Sequence, residues 1–83
     1  MSEEELKKEI YSILKKIAPD TEPEKLLPED TIRKILGMDS FDYLQAIVAF
    51  SDRFGVEIPE DDYGKLQTLH DLMIYIQNTQ KVK

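Results

Sequence analysis

The sequence predicts an all-α protein with three full helices, one short helix and a long first connection. Three observations carry that expectation. Apolar residues recur at helical steps of three and four in three separate stretches. Each stretch opens on a residue suited to N-capping, and the first two close at Pro19 and Gly55. No pair of runs has the two-residue alternation that would mark partnered strands.

The first helix begins at Ser2-Glu3-Glu4-Glu5, a capping-box arrangement in which the hydroxyl takes an orphan amide and the glutamate reaches back. Leu6, Ile10, Ile13, Leu14 and Ile17 then share one stripe, and Pro19 pushes the residue before it out of the helical region. Residues 18–39 hold three of the four prolines, which predicts a long connection with room for one or two short helical turns. Leu26, Leu27, Ile32, Ile35 and Leu36 are too apolar to be left in water, so this connection should lie across the core. Gly37 allows a sharp turn.

Asp39 or Ser40 caps the central helix, which should run to about Phe54 and stop at Gly55. Its expected buried stripe is Leu44, Ile47, Val48 and Phe54, with Phe41 one turn earlier and Tyr43 and Phe50 beside it. Val56-Glu57-Ile58-Pro59 reads as extended and leads into a short acidic turn, Glu60–Lys65, whose length Gly64 limits. Thr68-x-x-Asp71 caps a last helix with Leu69, Leu72, Met73 and Ile76 facing inward, and residues 78–83 should fray.

The 83 residues are expected to form one domain, 1–83. A core of this size seldom supplies more than about 3–5 kcal/mol, and no disulfide can help it. The absence of cysteine excludes a thiol nucleophile or a thiolate metal site made by the chain itself. No run approaches the ~20 apolar residues of a membrane span, and the acidic start is unlike a secretory signal, so a cytoplasmic monomer is expected. With 17 acids against 11 bases, the net charge of -6 repels nucleic acid and anionic membranes. Residues 39–62 contain seven acids and one base, Arg53, so that segment alone accounts for the net charge. A functional electrostatic face, if there is one, belongs there.

Enzyme chemistry finds little support. A serine hydrolase needs a base beside its hydroxyl, and the single histidine, His70, sits in the last helix with no sequence reason to meet Ser40. Paired carboxylates abound, but so small a helical chain seldom encloses a sugar. Glu60-Asp61-Asp62 lacks the alternating ligands and the glycine of a calcium loop. There remains Gly37-Met38-Asp39-Ser40-Phe41, where a serine follows a glycine turn at a helix start. Taken alone it reads as an N-cap. The amides and dipole of a helix N-terminus also stabilise a phosphate, so Asp39 can cap while Ser40 anchors a phosphodiester.

Gly37-Met38-Asp39-Ser40-Phe41-Asp42 resembles the Gly-x-Asp-Ser-Leu-Asp attachment motif of acyl carrier proteins. Phe54-Gly55-Val56-Glu57-Ile58-Pro59 followed by three acids is similar to that family's Phe-x-x-x-Ile-Pro-acidic segment, and residues 66–76 are similar to its closing helix. The resemblance implies a non-enzymatic four-helix bundle in which Ser40 carries 4'-phosphopantetheine, and the residues themselves lead us to expect no metal site. That group would come from coenzyme A through a phosphopantetheinyl transferase, and its thiol would hold an acyl group as a thioester. Further partners would be an acyl-loading ligase or transferase and a ketosynthase or similar acyl-processing enzyme. By position, Asp39, Phe41, Asp42, Gln45, Val48 and Asp52 are the expected partner contacts.

The chain also departs from the family pattern. Gln45 and Ser51 stand where members from fatty-acid synthesis commonly carry acids, and Arg53 where another acid is frequent. Phe41 replaces the usual leucine. Phe41, Phe50 and Tyr63 are expected either to fill the core or to shrink any acyl pocket. These differences suggest a specialised pathway, with a short acyl cargo or an aminoacyl unit loaded by an adenylating ligase. An acidic helical interaction module without the prosthetic group is the alternative from another class.

Overall fold

Helix α1 (Glu3–Ile17) opens the computed structural model, which describes residues 2–81. Its capping box is formed on both sides: the Glu5 amide donates to Ser2 Oγ at 3.2 Å and the Ser2 amide to Glu5 Oε1 at 3.0 Å. The Ala18 amide closes the helix on Leu14, just ahead of Pro19. Leu6, Ile10 and Leu14 are buried, with Ile13 and Ile17 packed at the margin of the core.

The connection holds two short pieces: a 3-10 turn at Pro23–Lys25 and the five-residue helix α2 (Ile32–Leu36). It is pinned at its far end. The Ile32 amide donates to the Gln67 carbonyl at 2.9 Å, the His70 amide donates to Pro28 at 2.9 Å, and Thr31 and Thr68 form an isolated antiparallel bridge. Leu26, Ile32 and Leu36 are buried as expected. Leu27 and Ile35 are not. They point outward because so short a segment can present only one side to the core.

Helix α3 (Ser40–Phe54) begins at the cap Asp39 and ends at Gly55, whose φ of 64° is the left-handed conformation that glycine adopts without a Cβ penalty. Its buried face differs from the expected one. Tyr43, Ala46, Ile47, Phe50 and Phe54 line the core, whereas Phe41, Leu44 and Val48 are exposed. The Phe50 and Phe54 rings stack with centroids 6.5 Å apart. Phe50 therefore fills the core, Phe41 does not, and Tyr63 packs half-buried at its edge.

After Gly55 the extended segment buries Val56 and Ile58, and Ser51 Oγ holds it by donating to the Val56 carbonyl at 2.6 Å. The acidic turn is a 3-10 helix, Glu60–Lys65. Helix α4 (Leu69–Lys81) follows a second reciprocal cap between Thr68 and Asp71. It buries Leu69, Leu72, Met73 and Ile76. Residues 78–81 continue this helix rather than fraying, and the rest of the expected frayed tail lies outside the described residues. Among the described residues there is no strand, no buried charged side chain, and no helix long and apolar enough to cross a membrane.

Candidate functional site

Ser40 is the first residue of α3, and its side chain is exposed. Two local features put it there. Gly37 ends α2 with a φ of 65°, and both its amide and that of Met38 close on the Arg33 carbonyl, Met38 at 2.9 Å. The chain thereby reverses within a few residues. Met38 is buried, and Asp39 then starts the next helix by accepting the Asp42 amide at 2.8 Å. That cap leaves the amides of Ser40 and Phe41, in the first turn, without intrahelical acceptors and near the positive end of the helix dipole.

The Ser40 hydroxyl accepts a hydrogen bond from Arg33 Nη2 at 2.9 Å. Its partner is a guanidinium rather than an imidazole. His70 is exposed, lines other hollows, against Lys65 and Tyr75 and against Pro28, and makes no contact with Ser40. The arrangement therefore lacks a base to take the hydroxyl proton, which a nucleophilic serine requires.

Ser40 opens onto a hollow of about 320 Å³ between α3 and the 3-10 helix. Leu44, Ile47 and Tyr63 give it apolar walls, while Arg33 and Glu60 bring charge. A second hollow of about 390 Å³ shares Arg33, Tyr43, Tyr63 and Gly64 with it and extends toward Thr31 and Gln67. The Tyr43 hydroxyl donates to the Leu66 carbonyl, tying α3 to the residues before α4. Burial raises this phenol well above its ordinary value, so it remains a neutral donor.

The expected partner contacts fall into two groups. Phe41, Val48, Asp52 and Gln45 are exposed and lie within about 60° of arc on α3, at the 3.6 residues per turn of an α-helix. Leu44 extends this strip toward Ser40; the sequence reading had placed it in the core. Asp39 and Asp42 are joined instead by the cap at the helix start, and Asp42 is half-buried on another flank. Arg53, the single base of the acidic segment, is paired with Glu9 of α1 at 2.8 Å and lies over the Phe54 ring. Arg33 was missed from sequence altogether. The available signal was a base four residues before a turn-forming glycine and seven before the serine, and it carries meaning only once the turn is closed.

An exposed hydroxyl, free helix amides, an adjacent guanidinium and a partly apolar hollow suit a phosphate-linked arm. Residues 6–76 match the phosphopantetheine attachment site family. The chain is 38% identical over 73 residues to an acyl carrier protein of Thermosynechococcus vestitus, covering 84% of this chain and 90% of that one. It is 40% identical over 55 residues to an acyl carrier protein of Zymomonas mobilis, covering 66% and 70% of the two chains. A solution structure from Anaplasma phagocytophilum described as an acyl carrier protein superposes with a TM-score of 0.79 at 27% identity, covering 100% of this chain and 94% of that one. The chain belongs to the acyl carrier protein family: a helical carrier rather than an enzyme, bearing covalent 4'-phosphopantetheine and working with a phosphopantetheinyl transferase and acyl-processing enzymes.

Proposed function

We propose that Ser40 is the attachment point of the arm and that the protein is a free-standing cytoplasmic carrier of one domain, serving a specialised pathway. The observation that carries the attachment is the exposed Ser40 hydroxyl at the start of α3, with donors around it and none of the machinery of a nucleophile. The bound group supplies a thiol that holds acyl cargo as a thioester, which this cysteine-free chain lacks. The chain's own residues do the rest. Asp39 fixes the helix start, and the amides of Ser40 and Phe41 face the phosphate. The strip of Phe41, Leu44 and Val48, edged by Gln45 and Asp52, docks partner enzymes, while the acids steer basic faces toward it.

A specialised cargo is supported by the departures on α3. Gln45, Ser51 and the Glu9-paired Arg53 make the docking face less negative, and Tyr63 narrows the hollow beside Ser40. A short acyl or aminoacyl unit loaded by an adenylating ligase suits that space. Incubation with coenzyme A and a phosphopantetheinyl transferase should raise the intact mass by one phosphopantetheine group, and Ser40→Ala should abolish the gain with helicity unchanged. Labelling at another residue, or none with several competent transferases, would refute the attachment. A partner that binds Ser40→Ala as tightly as the unmodified and modified wild type would favour an interaction module instead.

A further inference from the structure

Among the described residues, three bases of this acidic protein pair with carboxylates, and its two arginines differ in this respect. Lys25, Arg53 and Lys65 each pair with a carboxylate, as an acidic chain makes easy. Arg33 pairs with none among the described residues, and its one side-chain bond goes to a neutral hydroxyl, that of Ser40. A guanidinium has five donors in a planar fork suited to phosphate oxygens, and a single one is engaged here. Arg33 also stands near the first turn of α3, so its guanidinium and the positive end of the helix meet at Ser40, while the Asp39 carboxylate is engaged by the Asp42 amide.

We infer that Arg33 is a positioning residue for the phosphodiester, holding its charged oxygens against the start of α3 and setting the direction in which the arm leaves. The inference rests on Ser40 as the attachment point and goes beyond it. Esterification leaves Ser40 Oγ in place as the bridging oxygen and puts the anionic oxygens one atom further out, within reach of the guanidinium that already touches Oγ. The contact between a guanidinium and a neutral oxygen becomes one between opposite charges, which the planar fork can make bidentate. Arg33 is held for this task by its backbone, since its carbonyl takes the amides that close the Gly37 turn. Arg33 and Ser40 line the same hollow, so a phosphate fixed between them starts the arm along the apolar wall of Leu44, Ile47 and Tyr63.

The test compares apo and holo forms of wild type, Arg33→Gln, Arg33→Lys and Lys34→Gln. Lys34→Gln removes the same charge from the next residue, which has no bond to Ser40. All four should fold, because both side chains are exposed. Attachment should raise the thermal midpoint of wild type and of Lys34→Gln. The increment should be lost in Arg33→Gln and partly kept in Arg33→Lys. The 31P resonance of the holo protein should move in Arg33→Gln and stay in place in Lys34→Gln. Equal increments and equal 31P positions in wild type and Arg33→Gln would overturn the inference, as would an equal loss in Lys34→Gln. Failure of the attachment reading is distinguishable, because the intact mass of wild type would then show no group on Ser40.

Discussion

Along α3 the inward face carries Tyr43, Ala46, Ile47, Phe50 and Phe54, and the outward face carries Phe41, Leu44 and Val48. Both are apolar, and both repeat at helical spacing. Phe50 is 0% exposed, Phe41 is 65% and Val48 is 56%. The first face is covered by the other helices, so its side chains contribute the transfer free energy of burial, about 25 cal/mol per Å². The second stays in water and contributes little to folding. An apolar strip kept exposed between acids and beside Ser40 suits contact with other proteins. Similar chemistry on two sides of one helix thus serves stability on one and, in the function proposed, recognition on the other.

Truncation should separate the two faces most sharply. Phe50→Ala should cost about 3–5 kcal/mol, comparable with the whole stability of so small a core, and leave the chain largely unfolded in urea titrations followed by circular dichroism. Phe41→Ala and Val48→Ala should stay within about 0.5 kcal/mol of wild type. The same outer variants should weaken binding to a cognate acyl-processing enzyme by about tenfold or more, as expected when central apolar contacts are lost. If Phe41→Ala unfolds the protein as Phe50→Ala does, the contrast between the faces fails.

Asp52 at the edge of the outer face and Asp42 on the neighbouring flank should act on approach more than on the final complex. Replacing Asp42 and Asp52 by asparagine should reduce association at low salt by roughly a few-fold and flatten its salt dependence in stopped-flow measurements. Association of wild type that does not respond to salt would remove the steering role and leave the apolar strip alone.

A smaller effect belongs to neither face and serves as a reference for both. The Tyr75 hydroxyl donates to Asp62 at 2.8 Å, linking α4 to the 3-10 helix. This bond, with a lesser part from Lys65, holds the Asp62 carboxyl below its ordinary value. Burial and then Asp62 push Tyr75 up to about 12. The Asp62 contribution is therefore present above the ordinary carboxylate range and is lost as pH falls through the lowered value. The Tyr75 contribution is full below pH 10.0 and is lost as pH rises toward about 12. The stability difference between wild type and Tyr75→Phe should shrink at both limits, read from urea midpoints across pH. Partner binding should be unaffected.

Most helix limits were legible in the sequence. Ser2 with Glu5, Asp39 with Asp42, and Thr68 with Asp71 are hydrogen-bonded neighbours three residues apart, and Gly37 and Gly55 mark the left-handed turns at helix ends. Interactions within one turn depend on nothing farther away. The buried stripes of α1 and α4 were legible too, because polar residues fill the opposite sides and leave one arrangement. On α3 apolar residues cover too much of the circumference for periodicity to choose a face, and Leu44 and Val48 were placed inside for that reason. Leu27 and Ile35 show the same ambiguity in a connection too short to have a period.

The sequence by itself determined where the main helices start and that a serine stands at the mouth of the central one, since caps, prolines and glycines act through bonds between near neighbours. The tertiary structure decided which side of α3 the other helices cover, and that Arg33 meets Ser40 across the Gly37 turn. Those outcomes depend on how whole elements orient against one another, and that is set by the packing of the entire core.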